Sequence, residues 1–339
     1  MKVSDSTSHD RGAVLLTTLL IMSIMAVLAV VMVEDILLAV KRTAHIEGEA
    51  QASWYMQGAD DYSQTYLRGV VAADNPAAAN LALLSGVEAV FPLDNGSMAV
   101  SIRDGSNCLS LGLLDQEDGT ELFTILFQTL GWANQDAQTY AARLTDWVDA
   151  DETPRPRTGA EDFHYLGLEP AYRTANAPFS SVYEIRALGI LQEAEFQFLR
   201  PFICAHKPST LGTPTQINLN TLTPEQAPLL AVALGSSDHL QLALSLITNR
   251  PATGWQDLAS FWAVPELEDF EQNDAFANLL MGVEPHHIWV DVTVLYQTVQ
   301  KRAAFEYRIN NEEIDKTYRY FGDEAHWPRA INLLEGRDE

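Results

Sequence analysis

Basic residues and cysteines are scarce in this sequence of 339 residues. It has 21 lysines and arginines against 46 aspartates and glutamates, which gives a formal net charge of −25 at pH 7. Such a charge argues against binding to phosphates or to anionic membrane surfaces, and it favours solubility, cations or basic partners. There are only two cysteines and no Cys or His pairs at zinc-site spacing, which argues against zinc.

Signatures of common enzyme sites are missing as well. The glycines form neither a phosphate-binding loop nor a dinucleotide fingerprint, and no Gly-x-Ser-x-Gly sequence occurs. Asp146 and Glu161 are residue types that can act as a catalytic acid/base pair, but nothing else in the sequence supports that role. We therefore expect no enzyme activity.

A long uncharged segment dominates the amino-terminal region. Residues 13–33 contain no charged side chain, and as a helix the segment would be about 31 Å long, enough to cross a bilayer. It is longer than the core of a cleaved secretory signal and lacks an Ala-x-Ala-like site. Residues 34–67 continue the helical pattern, so the sequence predicts a membrane helix that extends into a stem. Lysine and arginine flank both ends, so their count does not determine topology.

Beyond the stem, strand patterns flank a long helical stretch. Residues 89–92 and 97–102 surround the turn signal Asp94-Asn95-Gly96, and residues 287–295 alternate apolar and polar side chains. Residues 303–309 and 317–320 can pair with that strand. The predicted helices between the strands are 120–130, 136–149, 182–188, 193–201, 224–234, 237–248 and 255–263. The pattern predicts an α+β fold in which a large helical domain is inserted into a small antiparallel sheet.

Carboxylates cluster between residues 146 and 162. Residues 146 and 149 would share a helix face, and more acidic residues follow on both sides of a loop with proline and glycine. Oxygen-only ligands suit Ca²⁺, although the spacing is not that of an EF-hand. The candidate metal ligands are Asp146, Asp149, Asp151, Glu161 and Asp162. The alternative is an acidic, solvated loop without a metal.

The amino-terminal pattern resembles that of type IV pilins and type II secretion pseudopilins. In that family a glycine precedes a charge-free helix that is also the spine of the folded domain, as Gly12 does here. The resemblance implies that a prepilin peptidase cleaves after Gly12 and methylates Ala13. Most members have glutamate as the fifth mature residue, whereas this chain has Thr17. Lacking that glutamate is typical of the minor pseudopilins of the K type.

Several motifs resemble the K-type family in order along the chain. They are Leu-Thr-Asp-Trp-Val-Asp-Ala-Asp-Glu-Thr-Pro at 144–154, Gly-Ala-Glu-Asp-Phe-His-Tyr at 159–165, Pro-Ala-Tyr-Arg-Thr-Ala-Asn at 170–176 and Ser-Val-Tyr-Glu-Ile-Arg at 181–186. The family's Phe-Asn-Leu-Asn element is degenerate and reads Leu-Ser-Leu-Gly at 109–112. The resemblance implies a structural Ca²⁺ in the helical domain, which the acidic cluster fits.

The resemblance also implies the domain organisation. We expect a prepilin leader at 1–12, a transmembrane helix at 13–33, a stem and first pseudopilin part at 34–104, an inserted α-helical domain at 105–284 and carboxy-terminal strands at 285–339. The inserted domain would contain helix-hairpin-helix-like (SAM-like) units at 216–258. Such units also occur in DNA-binding proteins, but Arg250 is the sole lysine or arginine between residues 216 and 264, which argues against nucleic acid.

Cys108 and Cys204 would lie on the periplasmic side of an inner-membrane, single-pass protein. A disulfide is the simplest interpretation there, and it would constrain the unfolded chain by about 4–5 kcal/mol. The alternative is two buried free thiols. The histidines at 164, 206, 286 and 287 are interpreted as surface or packing residues.

The function implied by the resemblance is capping of the pseudopilus tip. The chain would initiate the fibre with minor pseudopilins I and J, and H, and would contact the prepilin peptidase and the inner-membrane secretion platform. Two alternatives stay open at this point. One is a type IV pilus tip subunit, and the other is a membrane-anchored, calcium-dependent periplasmic enzyme.

Overall fold

A single long helix precedes all other described elements. The computed structural model describes residues 7–71, 83, 86–156, 158–206, 216–310 and 313–322. Helix α1 spans Thr7–Val71, so the predicted continuous helix is confirmed and neither Gly48 nor Gly58 interrupts it. Its most apolar part is long enough to cross a membrane and is not buried against the described chain. The start of the predicted leader, 1–6, and residues 323–339 lie outside the described residues.

Strands and shorter helices follow α1 along the chain. The strands are β1 (Val87–Leu93), β2 (Gly96–Asp104), β3 (Leu109–Ser110), β4 (Ile203–Cys204), β5 (Ile217–Asn218), β6 (Met281–Gly282), β7 (His287–Tyr296), β8 (Val299–Asn310) and β9 (Glu313–Phe321). The helices are α2 (Gly119–Thr129), α3 (Asn134–Val148), α4 (Asp162–Tyr165), α5 (Glu193–Leu199), α6 (Ala227–Ala233), α7 (Leu240–Thr248), α8 (Leu258–Trp262) and α9 (Asp274–Leu280).

Five strands form one antiparallel sheet in the order β1-β2-β7-β8-β9. The predicted hairpin is confirmed, since β1 and β2 pair around a turn at Asp94 and Asn95. The alternating segment at 287–295 forms the central strand β7, with β2 on one side and β8 on the other. All the helices α2–α9 lie between β2 and β7 in sequence.

Helix α1 packs on one face of this sheet. A buried cluster joins side chains of the helix to alternate side chains of the central strands, which is the period-2 pattern of a half-buried sheet. Its members include Ala52, Met56, Ala59, Val100, Ile102, Ile288, Val290, Val292, Val294, Ala303 and Phe305. Gly48 allows the closest approach, because a Cβ there would lie 3.0 Å from Val299 Cγ2.

A buried carboxylate also fastens α1 to the sheet. Asp60 is 0 % exposed and accepts hydrogen bonds from the Tyr307 hydroxyl, from Lys316 Nζ at 2.5 Å and from Arg319 Nη2 at 2.6 Å. Burial alone would raise the pKa of Asp60, but the bonds from Lys316 and Tyr307 hold it below its usual value. The carboxylate is therefore ionised and fully paired within the protein.

The helices between β2 and β7 have a core of their own. Buried side chains from α2, α3, α6, α7 and α9 form one apolar cluster that is separate from the cluster under α1. Several helices start where the sequence offers a cap. Asp257 accepts from Ser260 N at 2.7 Å, so α8 starts at Leu258 and not at the predicted residue 255. Residues 182–188 are helical as predicted, but as a 3₁₀ helix.

Two short parallel ladders and two α-helices, α4 and α9, were not predicted. β3 pairs with β4, and β5 pairs with β6, each over two residues. These ladders join segments far apart in sequence, and two-residue strands leave no periodic signal. Helix α9 is only seven residues long and is capped by the Asn273 side chain.

Candidate metal site and domain junction

The acidic motif of the sequence forms a compact pocket at the end of α3. Asp146 lies in the last turn of that helix, Asp149 caps its carboxyl end, and Glu161 immediately precedes α4. One carboxylate oxygen from each of the three lies within 4.8 Å of the others. Helix α3 ends at Val148, so Asp149 reaches the cluster from an extended residue and not from a shared helical face.

Backbone amides of the loop position Asp146. Its Oδ2 accepts from Ala160 N at 2.8 Å and from Arg155 N at 3.2 Å. Gly159 is required there, because a Cβ on it would overlap Asp146 Oδ2. Burial raises the pKa of Asp146 to about 6 despite these amide bonds. The loop thus wraps around a carboxylate that has lost its contact with water.

Glu161 is the least satisfied carboxylate of the cluster. It is 4 % exposed, and neither of its side-chain oxygens has a hydrogen-bond partner among the described residues. Asp149 Oδ1 is also buried without a partner there. Burial, followed by the charges of Asp146 and Asp149, raises the pKa of Glu161 to about 7. An unpaired buried carboxylate costs free energy unless a proton or a cation neutralises it.

The donor set of this cluster fits a hard divalent cation. Three carboxylates face one another, and the nearest basic side chain is that of the partly exposed Arg155, with Nε 3.5 Å from Asp146 Oδ1 and Nη2 3.8 Å from Asp149 Oδ2. The single positive charge of Arg155 does not balance three carboxylates, so the cluster keeps a net negative charge. Ca²⁺ prefers six to eight oxygen ligands, which carboxylates, carbonyls and water supply.

The other two predicted ligands lie outside this group. Asp151 is exposed, and its Oδ1 accepts from Thr153 N at 2.7 Å in a local turn. Asp162 binds Arg173 Nη1 at 2.9 Å and both the amide and the hydroxyl of Thr174, at 3.0 and 2.8 Å. The hydrogen bonds from Thr174 hold the pKa of Asp162 below its usual value. Asp162 therefore ties the loop to the motif at 170–176.

The two cysteines form a disulfide at the junction of the helical domain and the sheet. Cys108 and Cys204 have an S–S distance of 1.99 Å and bridge the segments of β3 and β4. A polar network lies beside them, in which Asp104 Oδ2 accepts from Asn218 Nδ2 and Thr221 Oγ1, both at 2.7 Å. The junction is thus held by covalent and polar contacts together.

Next to the disulfide lies a histidine cluster that the sequence analysis did not identify. The rings of His206 and His287 stack with centroids 3.8 Å apart, and their Nδ1 atoms lie 2.7 and 3.0 Å from Glu306 Oε1. All three side chains are at least 95 % buried. Burial and the neighbouring His206 lower the pKa of His287 to about 4. The three residues lie about 20 to 100 positions apart, so no local motif could have revealed them.

The segment at 216–258, for which helix-hairpin-helix-like units stay a prediction, has no basic surface of its own. Its single cation, Arg250, is half-buried and donates to the carbonyl oxygens of Leu219 and Leu222 at 3.1 and 2.9 Å. The guanidinium is used inside the domain. Between residues 216 and 264, which the structure describes in full, no other lysine or arginine could contact a phosphate.

The predicted processing site lies within α1. Gly12 and Ala13 are both in this helix, and cleavage between them stays a prediction. Thr17 donates its hydroxyl to the Val14 carbonyl oxygen at 2.9 Å within the same helix. At the position where most pseudopilins have glutamate, this chain therefore has a neutral side chain whose donor is already used.

Family models and relatives agree with the motif pattern. Residues 104–208 and 217–281 match the two parts of the model for type II secretion system (T2SS) protein K. The type II secretion system protein K of Klebsiella pneumoniae is 35 % identical over 270 residues, covering 77 % of this chain and 81 % of its own. The protein K of Pectobacterium carotovorum is 28 % identical over 334 residues, covering 93 % and 97 %.

A solved structure has the same fold. It is the crystal structure of the GspK-GspI-GspJ complex from the enterotoxigenic Escherichia coli type 2 secretion system, with a TM-score of 0.70 at 23 % identity. The match covers 83 % of this chain and 99 % of the other. Sequence identity over most of the chain, both family models and the fold lead to one conclusion: the chain belongs to the type II secretion system protein K family.

Proposed function

We propose that this minor pseudopilin of type II secretion caps the tip of the pseudopilus and initiates its assembly. One observation carries the proposal. Helix α1 packs on the sheet of a head in which a large helical domain is inserted between the neighbouring strands β2 and β7. A subunit with this bulk above its stem leaves no room for another stem to stack over it.

The neutral side chain of Thr17, at the place of the usual glutamate, also supports a position at the tip of the fibre. In repeating subunits a glutamate meets the amino terminus of the next subunit, and this chain offers a hydroxyl that is already bonded to Val14 O. A terminal subunit has no neighbour above it that would require the charge. The proposal therefore assigns the chain to the end of the fibre and not to its repeating body.

Assembly requires a membrane anchor and a processed amino terminus. We place residues 13–33 in the inner membrane and the head in the periplasm, with prepilin peptidase cleaving after Gly12 and methylating Ala13. The segment beyond the membrane keeps exposed apolar side chains, namely Ile36, Leu37, Val40, Ile46 and Trp54. An unpartnered apolar stripe on a long helix fits packing against other stems.

The partners in this proposal are minor pseudopilins I and J, and H, the prepilin peptidase and the inner-membrane secretion platform. The related crystal structure contains GspI and GspJ beside GspK, and its chain has the fold found here. Through this tip complex the chain would support protein secretion across the outer membrane. The helix-hairpin-helix-like unit has a packing or protein-contact role in this scheme, since Arg250 is already used.

We further propose that Asp146, Asp149 and Glu161 hold a structural Ca²⁺. The supporting observation is the buried Glu161 carboxylate without a described partner. The bound Ca²⁺ would replace the proton that Glu161 otherwise retains near neutral pH. It would also fix the loop that joins Asp149 to Glu161 against α3. The ion would have no catalytic role, and we propose no enzyme activity.

Position in the fibre can be tested directly. A bacterium lacking its own protein K would express this chain with an epitope in the head, together with an excess of the major pseudopilin so that fibres extend from the cell. Immunogold label at one end of the fibres, with secretion restored, is the expected result. Label along the fibre would contradict capping. Thr17→Glu should leave the label at one end, because the helical domain still blocks addition of a stem above it, and Thr18→Ser at the neighbouring position serves as the matched control.

A further inference from the structure

The two cysteines of the junction disulfide, a histidine and a glutamate meet at one buried position between the helical domain and the sheet. His206 Nε2 lies 3.2 Å from Cys108 Sγ, and one atom each of Cys108, Cys204 and His206 lies within 4.8 Å of the others. All three residues are at most 3 % exposed. Glu306 from β8 contacts the opposite side of the same imidazole.

The two ring nitrogens of His206 have different partners. Nε2 faces the sulfur and the Gly105 carbonyl oxygen, whereas Nδ1 lies 2.7 Å from Glu306 Oε1. Histidines that bind metals usually donate the other ring N–H to a carboxylate, which fixes the tautomer and the ring orientation. His287 holds the same Glu306 oxygen at 3.0 Å and stacks on His206, so the carboxylate and the ring are both immobilised.

We propose that the dithiol form of this chain binds one Zn²⁺ through Cys108 Sγ, Cys204 Sγ and His206 Nε2. Thiolate and imidazole are the ligands that zinc prefers in proteins, and Glu306 acts as a positioning residue on the other side of the ring. The sequence has no Cys or His pairs at zinc-site spacing, which by itself argues against zinc. The fold nevertheless brings together a zinc-type ligand set, because Cys204 and His206 lie 96 and 98 positions after Cys108 in sequence.

Charge balance makes this buried position suitable for the ion. Two thiolates offset the charge of Zn²⁺, so the occupied site adds no net charge to a region that excludes water. Binding releases the two thiol protons to solvent. The sulfurs would separate from bonding distance to about 3.8 Å, as two Zn–S bonds of about 2.3 Å at a tetrahedral angle require.

Zinc and the disulfide exclude each other at this position. An oxidant of the disulfide class would accept two electrons from the two thiolates and two protons from solvent and leave as a dithiol, while the S–S bond forms and Zn²⁺ is released. Either occupant joins the β3 and β4 segments. The zinc form would therefore hold the junction together in a newly exported chain, before oxidation makes the link covalent.

The test uses the full chain in detergent, with excess calcium to occupy carboxylate sites. A phosphine reductant opens the disulfide by taking an oxygen from water, and it adds no competing thiol. Cobalt(II) is the spectroscopic probe, since thiolate ligation gives a charge-transfer band that carboxylates do not give. We expect one such ion per reduced chain, displaced by one equivalent of zinc, and no such band in the oxidised chain.

Variants separate the proposed site from thiols that bind zinc by chance. Glu306→Gln, which removes the positioning carboxylate, should weaken zinc binding by about 10- to 100-fold, and His206→Gln, which removes a ligand, should weaken it further. His286→Gln, which changes the histidine next to His287 but outside the cluster, should leave the affinity unchanged. A reduced wild-type chain that gives no thiolate band would overturn the proposal without any variant. Equal affinity in His206→Gln would also overturn it.

Discussion

Two buried carboxylates in different parts of this molecule are neutralised in different ways. Asp60, between α1 and the sheet, accepts hydrogen bonds from Tyr307, Lys316 and Arg319. Glu161, at the end of α3, has neither oxygen bonded within the described chain and faces two more carboxylates. The pKa of Asp60 is lowered, whereas that of Glu161 is raised to about 7.

The difference separates a contact that the chain completes alone from one that needs a ligand. Asp60 attaches the stem to the head, and all its partners come from the same polypeptide. The Glu161 pocket gains its stabilisation only when a proton or a cation enters. The helical domain is therefore expected to respond to calcium and to pH near neutrality, whereas the stem-to-sheet contact should weaken only at acid pH, where Asp60 becomes protonated.

Removing the Asp60 carboxylate should have the largest effect. Asp60→Ala leaves two cations and the Tyr307 hydroxyl without their shared partner, so the free energy of unfolding should fall by about 3 kcal/mol. Lys316 and Arg319 are about a third exposed, which limits the loss. Urea unfolding of the full chain in detergent measures it. The loss should be equal with calcium and with chelator, and Asp61→Ala, at the exposed neighbouring position, should change little.

Chelation should have the next largest effect, and only through the helical domain. At calcium 100-fold above its dissociation constant, removing the ion should lower the unfolding free energy by about 2.7 kcal/mol. Thermal unfolding with calcium and with chelator measures the shift. Glu161→Gln should abolish the difference, whereas Asp162→Asn, the adjacent carboxylate outside the cluster, should retain it. A shift that persists in Glu161→Gln would place the calcium elsewhere.

The smallest effect is a pH dependence of the calcium-free protein. The pKa of Glu161 is raised from 4.5 to about 7 in the folded state, so between these values the folded chain binds more protons than the unfolded chain. Stability is therefore fully present at low pH and is lost as pH rises through 7. From pH 6 to pH 8 the loss should be about 1.4 kcal/mol. The difference in unfolding free energy between wild type and Glu161→Gln, measured without calcium at each pH, isolates the contribution of Glu161. Identical pH profiles of the two proteins would contradict the prediction.

The sequence predicted the parts of the fold that repeat a local signal. The uncharged run before Glu34, the Asp94-Asn95 turn and the alternation along β7 each specify one element. The motif at 144–165 also located the acidic pocket, because three of its ligand candidates lie within a few residues of a helix end. These are contacts that short stretches of chain determine.

The parts that the sequence did not predict depend on distant contacts. Asp151 and Asp162 are ligand candidates by type and position, but in the structure they lie outside the group of three and accept from Thr153 N and Arg173 Nη1. His206, His287 and Glu306 come from three separate segments and meet only after the helical domain docks on the sheet. Composition alone cannot distinguish such a cluster from isolated surface histidines.

The ends of the helical domain lie on neighbouring strands of the sheet. Asp104, the last residue of β2, is paired with Ile288 near the start of β7, and Gly105 N donates to His287 O at 2.8 Å. A short turn could therefore connect these strands directly and leave the register of the whole sheet unchanged. In evolutionary terms, the domain between them could be acquired, enlarged or lost in one step, and helix α1 with its sheet would keep the same strand pairing.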